Sequence, residues 1–142
     1  MIDIENLVCD KVFRAVSTAF SGAVCYSEYV ELPSAFPCVT LYEADNRSYR
    51  RSDDNQLSDH QVHVMYECNV YSDKKNGKKA EAKQIADIVD STMQSMKFTR
   101  TMRSQIPNQD RTVYRVTMRF EAVVGEPIVD TNGTTTLQMY RK

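Results

Sequence analysis

Histidine is scarce, with only His60 and His63 among 142 residues, so acid–base catalysis by imidazole has little to draw on. Cysteine is sparse as well. Cys9, Cys25, Cys38 and Cys68 are scattered with no C-x-x-C pair, which removes the close ligand spacing of a zinc site. Reduced, mostly buried thiols are expected, three in strand-like segments and one in a helical segment. No apolar run approaches the roughly 18 residues of a membrane span. The N-terminus, Met1-Ile2-Asp3-Ile4-Glu5, is acidic where a secretory signal would be basic, so assembly in a cytoplasm is expected. An excess of positive charge is missing too. The formal net charge is -1, and no global field draws the chain to nucleic acid or to an anionic membrane. There is no internal repeat and no low-complexity tract.

What is present is ordinary for a globular domain: 42% hydrophobic and 26% charged residues in a length that suits one core. The organisation is clearest over residues 60–124. Val62, Val64, Tyr66, Cys68 and Val70 alternate with polar residues, the period of a half-buried strand. Ala82, Ile85, Ala86, Val89, Met93 and Met96 then recur at helical spacing. Alternation resumes at Tyr114, Val116, Met118, Phe120, Ala122 and Val124.

Around that segment, Ile4, Val8, Val12, Ala15, Val16 and Ala19 predict a first helix over 4–20, with Gly22 as its left-handed stop. Strands are predicted at 23–31 and 38–43, separated by a constrained turn containing Pro33 and Pro37. Residues 44–59 are polar and predict an exposed loop or an extended hairpin arm. A third strand at 60–71 leads into the helix at 78–96, followed by strands at 97–105 and 111–124. The last would span about 45 Å, long enough to project beyond a small core. Pro127 interrupts the C-terminal segment, and Asn132-Gly133 signals a hairpin turn before the threonines 134–136. The expectation is an α+β fold in the order α-β-β-β-α-β-β. Two main helices would pack on a mostly antiparallel sheet of four to five strands. Residues 1–124 would form one domain and 125–142 a C-terminal hairpin or arm.

Candidate chemistry is thin. His60 and His63 lie three apart on a strand, facing opposite sides, and so cannot easily converge on a metal; both are expected at the surface. Asp53, Asp54 and Asp59 lack the alternate spacing and glycine of a calcium loop. Lys74, Lys75, Lys78 and Lys79 crowd a helix start, where cations oppose the macrodipole. They form either a solvated turn or a patch for an acidic surface, and no G-x-x-x-x-G-K-[ST] surrounds them. Arg115, Arg119 and Glu121 share one parity of the last long strand, a polar sheet face suited to solvent or to a neighbour. No nucleophile–base arrangement or paired-carboxylate motif is evident, so no enzymatic activity and no cofactor are expected.

Two stretches carry a family resemblance: Phe36-Pro37-Cys38-Val39-Thr40-Leu41-Tyr42-Glu43, and Val64-Met65-Tyr66-Glu67-Cys68-Asn69-Val70-Tyr71 before a polar turn and amphipathic helix. With the element order, they make residues 4–124 resemble the tail terminator, or tail-completion and head-to-tail joining, proteins of long-tailed bacteriophages. The resemblance implies an α+β subunit of a hexameric ring that caps the tail tube and joins it to the neck. DNA would pass through the lumen without specific binding, and near-neutral charge suits that passage. The implied partners are other copies of the chain, the tube protein and a neck or head-completion protein, in a virion assembled in the host cytoplasm with no membrane involved.

Exposure and projection, rather than matched family positions, nominate Arg47, Tyr49, Arg50, Arg51, Arg115 and Arg119 as subunit or tube contacts. The alternatives are another neck or tail component, such as a head-closure or tube protein, or a small dimeric ligand-binding or regulatory domain.

Overall fold

The first helix, α1 (Glu5–Ala19), forms because its apolar residues fall on one stripe, and Val8, Cys9, Val12 and Val16 are buried along it. Its N-terminus has no side-chain cap from the N-cap residue Ile4, but Asp3 Oδ1 accepts the Glu5 backbone N–H at 3.1 Å. The structure, a computed structural model, describes residues 2–31, 33–48, 61–107, 111–129, 131–133 and 135–140. The second helix, α2 (Lys78–Ser95), buries Ala82, Ile85, Ala86, Val89, Asp90 and Met93.

Six strands complete the described residues: β1 (Val24–Tyr26), β2 (Cys38–Ser48), β3 (Gln61–Ser72), β4 (Thr99–Gln105), β5 (Tyr114–Val129) and β6 (Thr135–Tyr140). They form one sheet in the order β1-β2-β3-β5-β4, with β6 also on β5. All pairings are antiparallel except β1 with β2. The α+β class, the two helices and the mostly antiparallel sheet are as expected. The strand count is corrected from four or five to six, because Thr135–Tyr140 pairs with Val123–Val129 of β5.

Several boundaries also move, for physical reasons. The strand expected over 23–31 shortens to three residues, because the chain leaves its ladder with β2 after Tyr26 and sets Tyr29 against Tyr42. Residues 44–48, expected in an exposed loop or an extended hairpin arm, take the strand form as part of β2: after an irregularity between Glu43 and Asp45, register resumes with Asn46 opposite Val64 and Ser48 opposite Val62. Backbone pairing to β3 sustains the strand where the side chains are polar. β5 starts later than predicted and runs through Pro127, with a register shift against β6 between Gly125 and Ile128. Proline lacks the ladder N–H, so a shift there is its natural site.

Gly22 does not adopt a left-handed conformation; the positive-φ glycines are Gly77 and Gly133. Helix α1 stops instead through Phe20 N–H to Val16 O (2.8 Å) and Ala23 N–H to Phe20 O (3.0 Å). Gly133, with φ 80°, occupies the turn between β5 and β6.

Both helices cover one face of the sheet. The inward parity of β3 (Val62, Val64, Tyr66, Cys68, Val70) and of β5 (Val116, Met118, Phe120, Ala122, Val124) joins the helix residues in one core cluster. Tyr66 and Phe98 meet edge to face at 5.3 Å, and Cys9 Sγ lies 3.3 Å from Leu41 O. Cys9, Cys38 and Cys68 are buried and Cys25 half-buried. Burial pushes the Cys9 thiol up to about 12 and the Cys38 thiol up to about 11, so neither is poised as a nucleophile at neutral pH. No described helix is long and apolar enough to cross a membrane.

Candidate assembly face of the sheet

The face of the sheet turned away from the helices is largely polar, apart from a small apolar cluster of Phe36, Cys38, Tyr71 and Val113, and register fixes what meets there. Thr40 of β2 lies opposite Asn69 of β3, which lies opposite Thr117 of β5; Tyr42, Glu67 and Arg119 form the next such row. Arg47 lies opposite His63, and His63 opposite Val123. Strand parity therefore brings Arg47, Arg115 and Arg119 to one face. Tyr49, Arg50 and Arg51 lie outside the described residues, as do Asp53, Asp54, Asp59 and His60.

Asn69 organises the centre of this face. It is fully buried, and its Oδ1 accepts from Arg115 Nε (3.0 Å), Arg115 Nη2 (2.8 Å) and Thr117 Oγ1 (2.7 Å). The Arg115 guanidinium also sits over the Tyr71 ring, 5.5 Å from its centroid, a cation–π geometry. Burial raises the Tyr71 phenol, against the opposing influence of Arg115, to about 12. Tyr71 keeps its proton at neutral pH and donates it to Val30 O at 3.2 Å. Thr40 Oγ1 and Asn69 Nδ2 are buried without a hydrogen-bond partner among the described residues.

The neighbouring row is ionic. Arg119 Nε lies 3.2 Å from Glu67 Oε1, while Tyr42 donates its hydroxyl to Glu67 Oε2. Burial and this carboxylate raise the Tyr42 phenol. The Arg119 side chain is 47% exposed and that of Arg47 64% exposed, whereas Arg115 is half-buried. Arg47 Nε is 3.8 Å from Asp45 Oδ2, an exposed contact of little energetic weight.

His63 corrects the surface assignment. It is 5% exposed, with Nε2 3.0 Å from Glu121 Oε1. Its strand neighbours and the opposing β5 residues bury a side chain that polarity alone would place in solvent. Lys74, Lys75 and Lys79 are exposed, and Lys78 Nζ donates to Arg111 O at 3.1 Å.

A second polar cluster sits at the irregularity of β2. The Glu43 backbone N–H donates to Glu5 Oε2 (2.6 Å), and Asn46 Nδ2 donates to Ile2 O (2.9 Å) and Glu43 Oε1 (3.0 Å). Burial, opposed by the Asn46 hydrogen bond and reinforced by Asp3, Glu5 and Asp45, raises the Glu43 carboxyl to about 7. Among the described residues, no three His, Cys, Asp or Glu side chains group as a metal site.

Sequence reasoning found Arg115 and Arg119 through strand parity but missed Tyr42, Glu67, Asn69 and Thr117, which hold them. Their signal was the same parity, read across strands: polar residues at alternate positions of 40–42, 67–69 and 115–119.

A sheet backed by helices on one face and carrying a cross-strand polar network on the other defines an α+β module suited to structural roles. The family described as "Tail completion protein gp17" matches residues 11–125, most of the chain. The chain belongs to this family of bacteriophage tail completion proteins, and so is a structural protein of a phage tail. No curated protein matches the chain.

Proposed function

We propose that the chain is a tail terminator: a subunit of a closed, hexameric ring that caps the finished tail tube and forms its joint to the neck. The ring assembles in the host cytoplasm, has no catalytic role, and lets DNA pass through its lumen. The observation that carries this reading is the polar sheet face, where Arg115 and Arg119 each donate to an acceptor of their own chain and Arg47 stays exposed beside Asp45. Arginine donors already engaged by Asn69 and Glu67 can line or border a DNA channel with fewer free phosphate contacts than solvated cations would offer.

In this reading, Arg47 and its successors in the chain, Tyr49, Arg50 and Arg51, contact the tube or the next subunit. Arg119, with Arg115 behind it, sets register with a neighbour. Arg115 is a poor target for charge reversal, because a carboxylate there would strip Asn69 of two donors. Arg47→Glu, at an exposed side chain, is cleaner, and at Arg119 a glutamine avoids setting two carboxylates opposite each other.

The test is addition of the purified chain to growing tail tubes, with length and end structure followed by electron microscopy and mass by light scattering. Capped tubes of arrested length are expected from the wild type. Arg47→Glu and Arg119→Gln should fold with little change in melting temperature yet cap poorly. Open-ended growth that incorporates the chain would assign it to the tube instead. A stable dimer indifferent to tubes would sink the terminator reading.

A further inference from the structure

On the helix side of the sheet, a cavity of about 550 Å³ opens between α1, the end of α2 and β6. Leu7, Met96, Leu137 and Met139 give it apolar walls, and the exposed residues Lys11 and Lys97 line it as well. Lys97 has φ 70°, the one non-glycine positive φ among the described residues. Its N–H reaches Gln94 O at 2.9 Å and that of Phe98 reaches Met93 O at 3.1 Å, the helix-ending motif whose left-handed position normally takes glycine. A lysine held there at a conformational cost points to a use for its ammonium group.

The complementary feature lies at the other side of the sheet. Among the described residues, Tyr26 and Tyr29 are two of the three exposed large hydrophobic side chains, and Tyr29 is 51% exposed. Exposed Glu28 and Glu31 flank Tyr29. The segment is held in place: the Tyr29 ring stands edge-on to Tyr42 at 6.3 Å, and Tyr71 donates to Val30 O. Little ordering entropy would therefore be lost on docking.

We propose that the Tyr29 knob of one copy docks in the Leu7–Met96–Leu137 groove of the next, with Glu28 and Glu31 facing Lys11 and Lys97. This deepens, and rests on, the ring reading, since a ring needs head-to-tail contacts between two different surfaces. The topology separates the two. β1 ends the strand order on one side, and β6 pairs with β5 on the edge opposite β3. An aromatic anchor with a polar tip suits an apolar groove with a cationic rim.

Reciprocal charge reversal in the full chain tests the contact. The knob variant is Glu28→Lys with Glu31→Lys; the groove variant is Lys11→Glu with Lys97→Glu. Association is measured by sedimentation velocity, alone and on tail tubes, with melting curves as the folding control. Each variant alone should associate at least about tenfold more weakly than wild type (about 1.4 kcal/mol). Their equimolar mixture should recover wild-type association, because each copy then presents the charge its neighbour needs. Tyr29→Ala should weaken association without a charge change.

Variants that associate like wild type would overturn the contact, as would a mixture without recovery or a wild type that stays monomeric even on tubes. Occupation of the groove by another tail protein or a small amphiphile would show itself in the first of these ways. Capping reads the ring separately. If all variants cap tubes normally, the contact fails and the ring stands. If the mixture recovers association but the wild type does not cap, the contact stands and the terminator reading fails.

Discussion

The two faces of the sheet are built on opposite terms. On the helix side, Val64, Cys68, Met118 and Phe120 are fully buried and interchangeable in kind, apolar side chains whose job is volume. On the other side, Thr40, His63, Asn69 and Thr117 are nearly as buried, yet every one is polar. The first face is stabilised by area removed from water; the second is stabilised only if particular atoms meet particular partners. That contrast teaches where the chain can tolerate change. It also shows which surface is specified closely enough to be presented to a neighbour.

The largest effect should come from the apolar side. Phe120→Ala should cost about 3–5 kcal/mol, read as a large fall in chemical-denaturation midpoint. A cost under about 1 kcal/mol would mean the helix face is loosely packed. The polar side should respond less but more specifically. Asn69→Ala should cost about 2 kcal/mol, because the Arg115 guanidinium and the Thr117 hydroxyl lose their acceptor. Equal stability of wild type and N69A would reduce that network to surface decoration.

A smaller effect should appear with pH at the edge of the helix-side core. The Glu43 carboxyl is raised to about 7 in the fold from an unfolded value near 4.3. The folded state therefore binds more protons between these values. Stability contributed by protonated Glu43 is full below the unfolded pKa and is lost as pH rises toward 7. Glu43→Gln should flatten this part of the melting-temperature profile between pH 4 and pH 8. An unchanged slope would assign it to other groups.

The smallest effect should be a gain. Lys97→Gly should stabilise by about 0.5–1 kcal/mol by removing the left-handed strain, while weakening association through the lost ammonium group. Opposite signs in melting temperature and in association would separate fold from contact. A loss in both would place Lys97 among ordinary structural residues.

Much of the fold was legible in residues whose period is local. The alternation from Val62 to Val70 and from Val116 to Val124, and the stripe from Ala82 to Met96, identify strand, strand and helix because each pattern reports one covered face. What escaped depends on neighbours distant in the chain. His63 looks solvent-facing until Glu121 and the rest of β5 are laid beside it. Residues 45–48 read equally as a loop or as a hairpin arm until β3 supplies their pairing partners. Gly22 looks like a helix stop, yet the left-handed stop is Lys97, at the other helix. The site was legible only in part. Parity placed Arg115 and Arg119 together, but the groove takes its walls from residues 7, 96 and 137, which no local pattern unites.

The proposed closed ring is tested most directly by native mass spectrometry of the 16.3 kDa chain, in solution and released from tail-tube ends. A closed ring gives one discrete six-copy species that caps tubes. An open-ended ladder of masses, or a dimer that leaves tubes uncapped, would contradict it.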